Sequence, residues 1–326
     1  MEVIKPGSKI DFVKAMPYAI TVSIVAICVS LFGIFVWPKP NWGIDFAGGT
    51  EIQVKFMAPI EMAKLRTAME AMNLGDVKVQ EWLGAEVDNT QFLIRLQKLA
   101  DETEVADGDT ASGEGASGRT ATMVEEKIGE TFGAGTFEVL KAEYVGPKVG
   151  AELRNQGTLA VLIAIILILI YVTMRFEFRY AFGAVLALFH DAIICTGIIV
   201  YTQKGFDLTI IAALLSIVGY SINDTIVVFD RIRENISRHR RLSLFEIVNA
   251  ATNETLSRTL LTSFVTWLAI FFLWLLGGSA INGFSFCMMM GIIVGTYSSV
   301  FVASAYVVFT ERLRERRRTA VAAAAK

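Results

Sequence analysis

The sequence predicts a polytopic α-helical membrane protein with six transmembrane helices and one α+β domain outside the bilayer. Three observations carry that prediction. The 326-residue chain is 54% hydrophobic and only 19% charged, with a mean hydropathy of +0.52; a water-soluble domain runs nearer about 45–50% apolar and about 25% charged. The excess sits in six runs, 17–37, 157–174, 180–201, 206–229, 259–277 and 284–309, each long enough for the roughly 20 helical residues that cross a hydrocarbon core. One long polar segment, 38–155, interrupts them. The same numbers exclude disordered, collagenous and disulfide-scaffold classes, and a net charge of −2 gives no basicity pointing to a nucleic-acid partner. Cys28, Cys195 and Cys287 lie inside apolar runs at no metal-site spacing, so buried inert thiols and no metal are expected.

The N-terminal segment 1–16 carries Lys5, Lys9 and Lys14 before the first run. That run is too long for a signal-peptide core, and WPKPNW after it offers no small-residue cleavage site, so it reads as a retained anchor. Positive charge sets the orientation. Arg175, Arg179, Arg231, Arg233, Arg238, Arg240, Arg241 and the basic tail 310–326 fall on the side of the N-terminus, which makes both termini cytoplasmic. The opposite side has Lys204 in its first short loop and no Lys or Arg in GGSAING.

Within 38–155, GTEIQVKF alternates as a strand, and PIEMAKLRTAMEAMN reads as a helix with Pro59 near its start. DVKVQEWL and QFLIRLQ are two further strands joined by a turn around Asp88-Asn89. TATMVEEKIGETFG is a second helix and FEVLKAEY a closing strand. The order βαββαβ is the split-βαβ, ferredoxin-like arrangement. The intervening stretch near 100–120 is acidic and nearly devoid of large apolar residues, which predicts a mobile loop. It contains Gly113-x4-Gly118-Arg119-Thr120, close to a phosphate-binding loop, but no strand runs into the glycines and Arg replaces the Lys. Composition explains the match.

The remaining spans form a bundle over 156–309 with one cytoplasmic loop, 230–258. In that loop Ser243-Leu244-Phe245-Glu246 fits a capping box, and Leu244, Ile247, Val248 and Ala251 predict a short helix on the membrane surface. Its neighbouring arginines are expected to be solvated or to face headgroups.

Polar residues inside spans carry the functional signal, because a charge at mid-bilayer costs about 2.5–3.5 kcal/mol even on the mildest scale. Asp224 lies in ALLSIVGYSINDTIVVF. Arg258 opens the next span at the same depth, followed by Thr259, Thr262 and Thr266. His190-Asp191 lies midway along the third span. Ser216, Gly219 and Asn223 form a row bordering Asp224, with Tyr220 one turn away; Gly291, Gly295, Ser299 and Ala303 form a small-residue row. Both rows predict close helix packing with Asp224 in an interior polar seam. Burial raises a carboxyl's proton affinity and an opposing Arg lowers it, the balance a proton relay needs. A static ion pair fixing helix register is the alternative. Adjacent helical residues point about 100° apart, so only one of His190 and Asp191 need face the seam.

Several strings resemble the SecF family, the smaller subunits of the bacterial SecDF protein-translocation accessory complex: GIDFAGGT (Gly43, Asp45, Gly48, Gly49), YVGPKVG (Gly146, Pro147), and GYSINDTIVVFDRIREN followed by NETLSRTLLTS. The resemblance covers nearly the whole chain, with the acidic loop as an insertion. It implies half of an RND-type bundle in the bacterial inner membrane, with 38–155 periplasmic. It implies SecD, the SecYEG channel, YajC, membrane lipid and a translocating unfolded polypeptide as partners. It further implies protons as the coupling ion, no cofactor and no enzymatic activity, and a proton pathway through Asp224 and Arg258; the spacing of polar residues in the spans adds Asn223 and Asp191 beside it. Three other readings stay open from the residues: an RND-type small-molecule exporter half, an intramembrane serine protease, which the absence of GxSxG opposes, and a passive scaffold for SecD.

Overall fold

The computed structural model describes residues 10–72, 77–81, 90–96, 113–176, 178–239 and 241–324. Six of the described helical stretches are long and apolar enough to cross a membrane. They are α1 (Phe12–Phe35), α5 (Pro147–Arg175), α6 (Phe178–Tyr201), α7 (Leu208–Arg238), α8 (Leu244–Leu276), and the pair α9 (Ser279–Ser298) and α10 (Ser304–Ala324). A five-residue π-helical turn, Ser299–Ala303, joins the last two into one stretch.

Between α1 and α5 lie a short helix α2 (Ile44–Ala47), then β1 (Gly49–Phe56), α3 (Met62–Glu70), β2 (Val77–Glu81), β3 (Gln91–Leu96), α4 (Gly113–Phe132) and β4 (Phe137–Val145). The four strands form one antiparallel sheet in the order β2-β3-β1-β4. β1 follows GTEIQVKF residue for residue, because strict alternation places Ile52, Val54 and Phe56 on the covered face. Leu65 and Met69 of α3 and Val124 and Ile128 of α4 close over them, with Phe92 and Ile94 from β3. The register between β1 and β4 shifts where Gln53 opposes Lys141 and Val54 opposes Val139. Leu140 is thus the extra residue of a bulge on this edge strand, a usual guard against edge pairing.

Some local expectations are corrected. Pro59 precedes α3 by three residues instead of starting it. α4 begins at Gly113, so the phosphate-loop look-alike is helical backbone. Of the acidic stretch 100–120 expected to be a mobile loop, 113–120 belong instead to α4; 100–112 and the turn at Asp88-Asn89 lie outside the described residues. No separate surface helix exists in 244–256. The capping box at Ser243 starts a single 33-residue helix, with Ser243 and Glu246 reciprocally bonded. Ile247, Val248 and Ala251 are buried against α6, α7 and α10. The stripe was amphipathic because it faces a bundle, which sequence periodicity cannot tell from a headgroup layer.

Nor are the nearby arginines merely solvated. Arg231 bridges Glu254 at 2.6 Å and Glu234 at 2.5 Å, Arg238 binds Glu234 at 2.6 Å, and Arg175 reaches Asp230 at 3.1 Å. Cys195 and Cys287 are buried, but Cys28 is exposed on the apolar surface of α1.

Ile128→Ala is expected to cost the sheet domain about 2–5 kcal/mol, since nothing can refill the space under α4. Limited proteolysis of the purified full chain should then cut the domain faster than wild type while the helices remain protected.

Candidate functional site

Two aspartates lie inside the bundle, and their surroundings differ. Asp191 of α6 has no exposed surface. One carboxylate oxygen accepts from Ser221 of α7 at 2.6 Å and from Ser298 of α9 at 2.7 Å. The other lies 2.9 Å from His190 Nδ1. His190 Nε2 is 3.1 Å from Ser23 Oγ of α1, which is 3.0 Å from Tyr297 Oη, and that hydroxyl donates to the Ala19 carbonyl at 2.6 Å. One polar network therefore binds α1, α6, α7 and α9. Both members of the His190-Asp191 pair are buried, and they point to different neighbouring helices. α6 is enclosed on two sides, so His190 faces α1 while Asp191 faces α7 and α9.

Asp224 of α7 is 4% exposed. Its carboxylate accepts from Ser263 of α8 at 3.3 Å, and Ser263 in turn accepts from Thr296 of α9 at 2.7 Å. The expected ion pair with Arg258 is not formed: Arg258 is exposed and acts on Asp224 only through space. Thr259 Oγ1 and Tyr220 Oη are enclosed without a hydrogen-bond partner. Asp224 is thus a buried carboxylate held by one long hydroxyl contact, in contrast to the fully bonded Asp191.

The small-residue rows divide. Gly291 sits directly on Ile217, and Gly295 on Ser221, with a Cβ at Gly295 only 3.6 Å from Asp191. These two positions let α9 approach α7. Gly219 packs against nothing in this chain; with Ser216 and Asn223 it is exposed, as are Arg258 and Thr262 on α8. The row read as bundle-facing is a polar strip on the outside of this chain. Ser263, one turn beyond Thr259, could have been read from the i, i+4 spacing. Ser221, Ser298 and Ser23 carried no signal, because single serines are common in spans.

The GIDFAGGT and YVGPKVG residues gather at the sheet end of the bundle. Gly43 precedes α2, and its N–H donates to Phe206 at 2.9 Å. Asp45 accepts from the Leu208 N–H of α7 at 3.0 Å. Gly48 (φ 74°) and Gly49 (φ 119°) turn the chain from α2 into β1 with backbone angles that side chains disfavour. Gly146 caps α5 and Pro147 occupies its first turn. Nearby, Lys204 donates to Asn282 at 2.9 Å and lies over the Phe286 ring; burial holds its ammonium below the ordinary lysine range.

Because each buried donor left unsatisfied costs about 1–3 kcal/mol, Asp191→Ala, which orphans Ser221, Ser298 and His190, is expected to lower thermal stability in detergent sharply. Asp224→Asn, which keeps an acceptor oxygen for Ser263, should leave the unfolding temperature close to wild type.

Comparison with known proteins places this architecture. A family model described as the SecD/SecF GG motif matches residues 38–57, and one described as protein export membrane protein SecD/SecF, C-terminal, matches 124–313. The protein translocase subunit SecF of Calditerrivibrio nitroreducens is 42% identical over 318 residues, 97% of this chain and 99% of that protein. That of Vibrio alginolyticus is 43% identical over 305 residues, 93% of this chain and 90% of the relative. Among solved structures, SecDF from Thermus thermophilus, a translocon-associated membrane protein, superposes with a TM-score of 0.81 at 34% identity over 96% of this chain. A super-membrane-facing form of SecDF gives 0.68 over 98%. This chain spans 40% of the first crystallised chain and 41% of the second.

Proposed function

Since the chain belongs to the SecD/SecF family, as a SecF protein translocase subunit of the Sec export pathway and a transport accessory, not a catalytic enzyme, we propose that with SecD it uses the proton motive force to assist polypeptide translocation through SecYEG. In this reading the chain lies in the bacterial inner membrane. Both termini are cytoplasmic, and the sheet domain within 38–155 is periplasmic. Asp224 takes up and releases the proton, and Arg258, Asn223 and the hydroxyl of Ser263 bias its charge state. Asp191 holds the scaffold around it.

The observation that carries this reading is the position of Asp224: a buried carboxylate with one long hydrogen bond, next to an exposed polar strip inside a span. Lipid cannot satisfy Asn223 or Arg258, so a protein surface has to cover them. A homologous bundle supplied by SecD fits that requirement and completes the proton site across the seam. The absence of a direct Asp224–Arg258 ion pair speaks against a static pair whose only role is register.

The energetics suffice. One charge crossing 100 mV supplies about 2.3 kcal/mol, and moving a two-state equilibrium from 1:99 to 99:1 takes about 5.5 kcal/mol. Three protons per cycle at that potential drive such a shift.

In inverted vesicles reconstituted with SecD and SecYEG, Asp224→Asn and Arg258→Ala are expected to assemble and to keep ATP-driven secretion. They should lose the increment that a proton gradient adds. Normal assembly with the full increment retained would make this subunit a passive scaffold.

A further inference from the structure

We propose that Asp45 is a positioning residue that joins α7 to the outer sheet domain, so that displacement of α7 reaches β1 through this side chain and through the α6–α7 loop, 202–207. The inference rests on the proton-coupled reading above and names the part that carries the motion.

α7 holds Asp224 and runs without a proline from Leu208 to Arg238. Asp224 lies about 25 Å along the helix axis from the first turn. At that first turn two carboxylates bind backbone donors left free by helix geometry. Asp207 accepts from Ile210 N–H at 3.0 Å, and Asp45 from Leu208 N–H at 3.0 Å. Asp207 belongs to the loop that leads into α7. Asp45 belongs to α2, which leads through Gly48 and Gly49 directly into β1, a central strand bonded on both sides. A single hydrogen bond thus connects the helix bearing the buried carboxylate to the middle of the outer sheet.

The surrounding contacts stiffen the joint. Gly43 N–H donates to Phe206 at 2.9 Å, and Phe206 N–H to Asn41 at 2.8 Å. Trp42, Phe46 and Phe206 pack with ring centroids 5.5–6.3 Å apart. From the sheet itself, Arg95 is 8% exposed and pinned by Glu51 at 2.5 Å. Its guanidinium lies so close over Gly205 that any side chain there would collide with it. Gln80 adds a 3.5 Å contact to the Gln203 carbonyl. Gly150 of α5 packs on the α2 backbone, with its Cβ position 3.1 Å from Gly48 N. By contrast α1 reaches α2 through a connector, 36–43, and α5 meets β4 at Gly146 with most of its length exposed. The loop 202–207 meets the domain and the connector by noncovalent contacts alone.

The test uses the full complex in the vesicle assay. Asp45→Ala removes the acceptor and is expected to reduce the gradient-dependent increment roughly five-fold, the loss typical of an N-cap. Asp45→Asn keeps an acceptor oxygen for Leu208 N–H and should restore most of it. A second measurement covers the case in which Asp45→Ala fails to assemble. A Cβ at Gly43 would lie 3.0 Å from Asp207 Cβ, so Gly43→Cys with Asp207→Cys forms a disulfide after a shift of about half an ångström. Cys28, Cys195 and Cys287 are replaced by Ala in that background. A joint that moves as one piece predicts an increment at least as large oxidised as reduced. An oxidised protein that loses the increment while the reduced one keeps it overturns the proposal, as does an assembled Asp45→Ala with the full wild-type increment. Asp224→Asn in the same assay separates the two readings. An increment lost in Asp224→Asn but kept in Asp45→Ala sinks the joint alone; one kept in both sinks proton coupling and the joint with it.

Discussion

A carboxylate with no access to water has to find all its hydrogen bonds inside the protein, and the packing of this bundle is arranged around meeting that demand at Asp191. Ser221, Ser298 and His190 supply the donors, and through His190 the requirement extends to Ser23 and Tyr297. Ser221 lies on α7, Ser298 on α9 and Ser23 on α1, so satisfying this one network sets the mutual rotation of α1, α6, α7 and α9. Glycine makes it possible: Gly291 and Gly295 bring α9 against α7, close enough for a serine on each to reach one oxygen. The π-helical turn begins immediately after Ser298, and such turns commonly mark a functional site within a helix.

Asp224 shows what the same residue type does when the demand is only partly met. Its contact to Ser263 is long, its cationic neighbour stands off at the surface, and nearby hydroxyls are enclosed without partners. An ion pair in contact would have held the charge in one state. A single long hydroxyl contact imposes no such hold. The rigid node at Asp191 and the weakly held Asp224 lie within a turn of each other on α7 through Ser221 and Asp224. The locked contacts therefore define a frame within which the other site can change.

At the opposite end of α7 the chain uses capping where the core uses buried hydrogen bonds. Two carboxylates from different segments satisfy the same helix start, and two glycines in left-handed conformation carry the chain from that cap into the sheet. The sheet domain stands on its own apolar core, so its attachment to the bundle is a matter of polar and aromatic contacts over a short loop. That division lets the domain keep its shape while its position is set from below.

Much of this was legible along the chain. The six apolar runs each fall in one of the six candidate spans, and βαββαβ follows from strict alternation, because period-two and period-3.6 patterns are local properties. The glycine and aspartate positions of GIDFAGGT, the Asp224 position and the capping box at Ser243 were equally readable, since backbone geometry or bilayer cost restricts what can stand there. Sequence could not tell which face of α7 is buried: Ser216, Gly219 and Asn223 have the composition of a packing row yet lie exposed among the described residues. Nor could it pair Asp224 with Ser263 instead of Arg258, or show that His190 and Asp191 are both enclosed. Those outcomes depend on how far each helix is rotated against neighbours remote in sequence, a quantity fixed only when all the buried polar groups are satisfied at once.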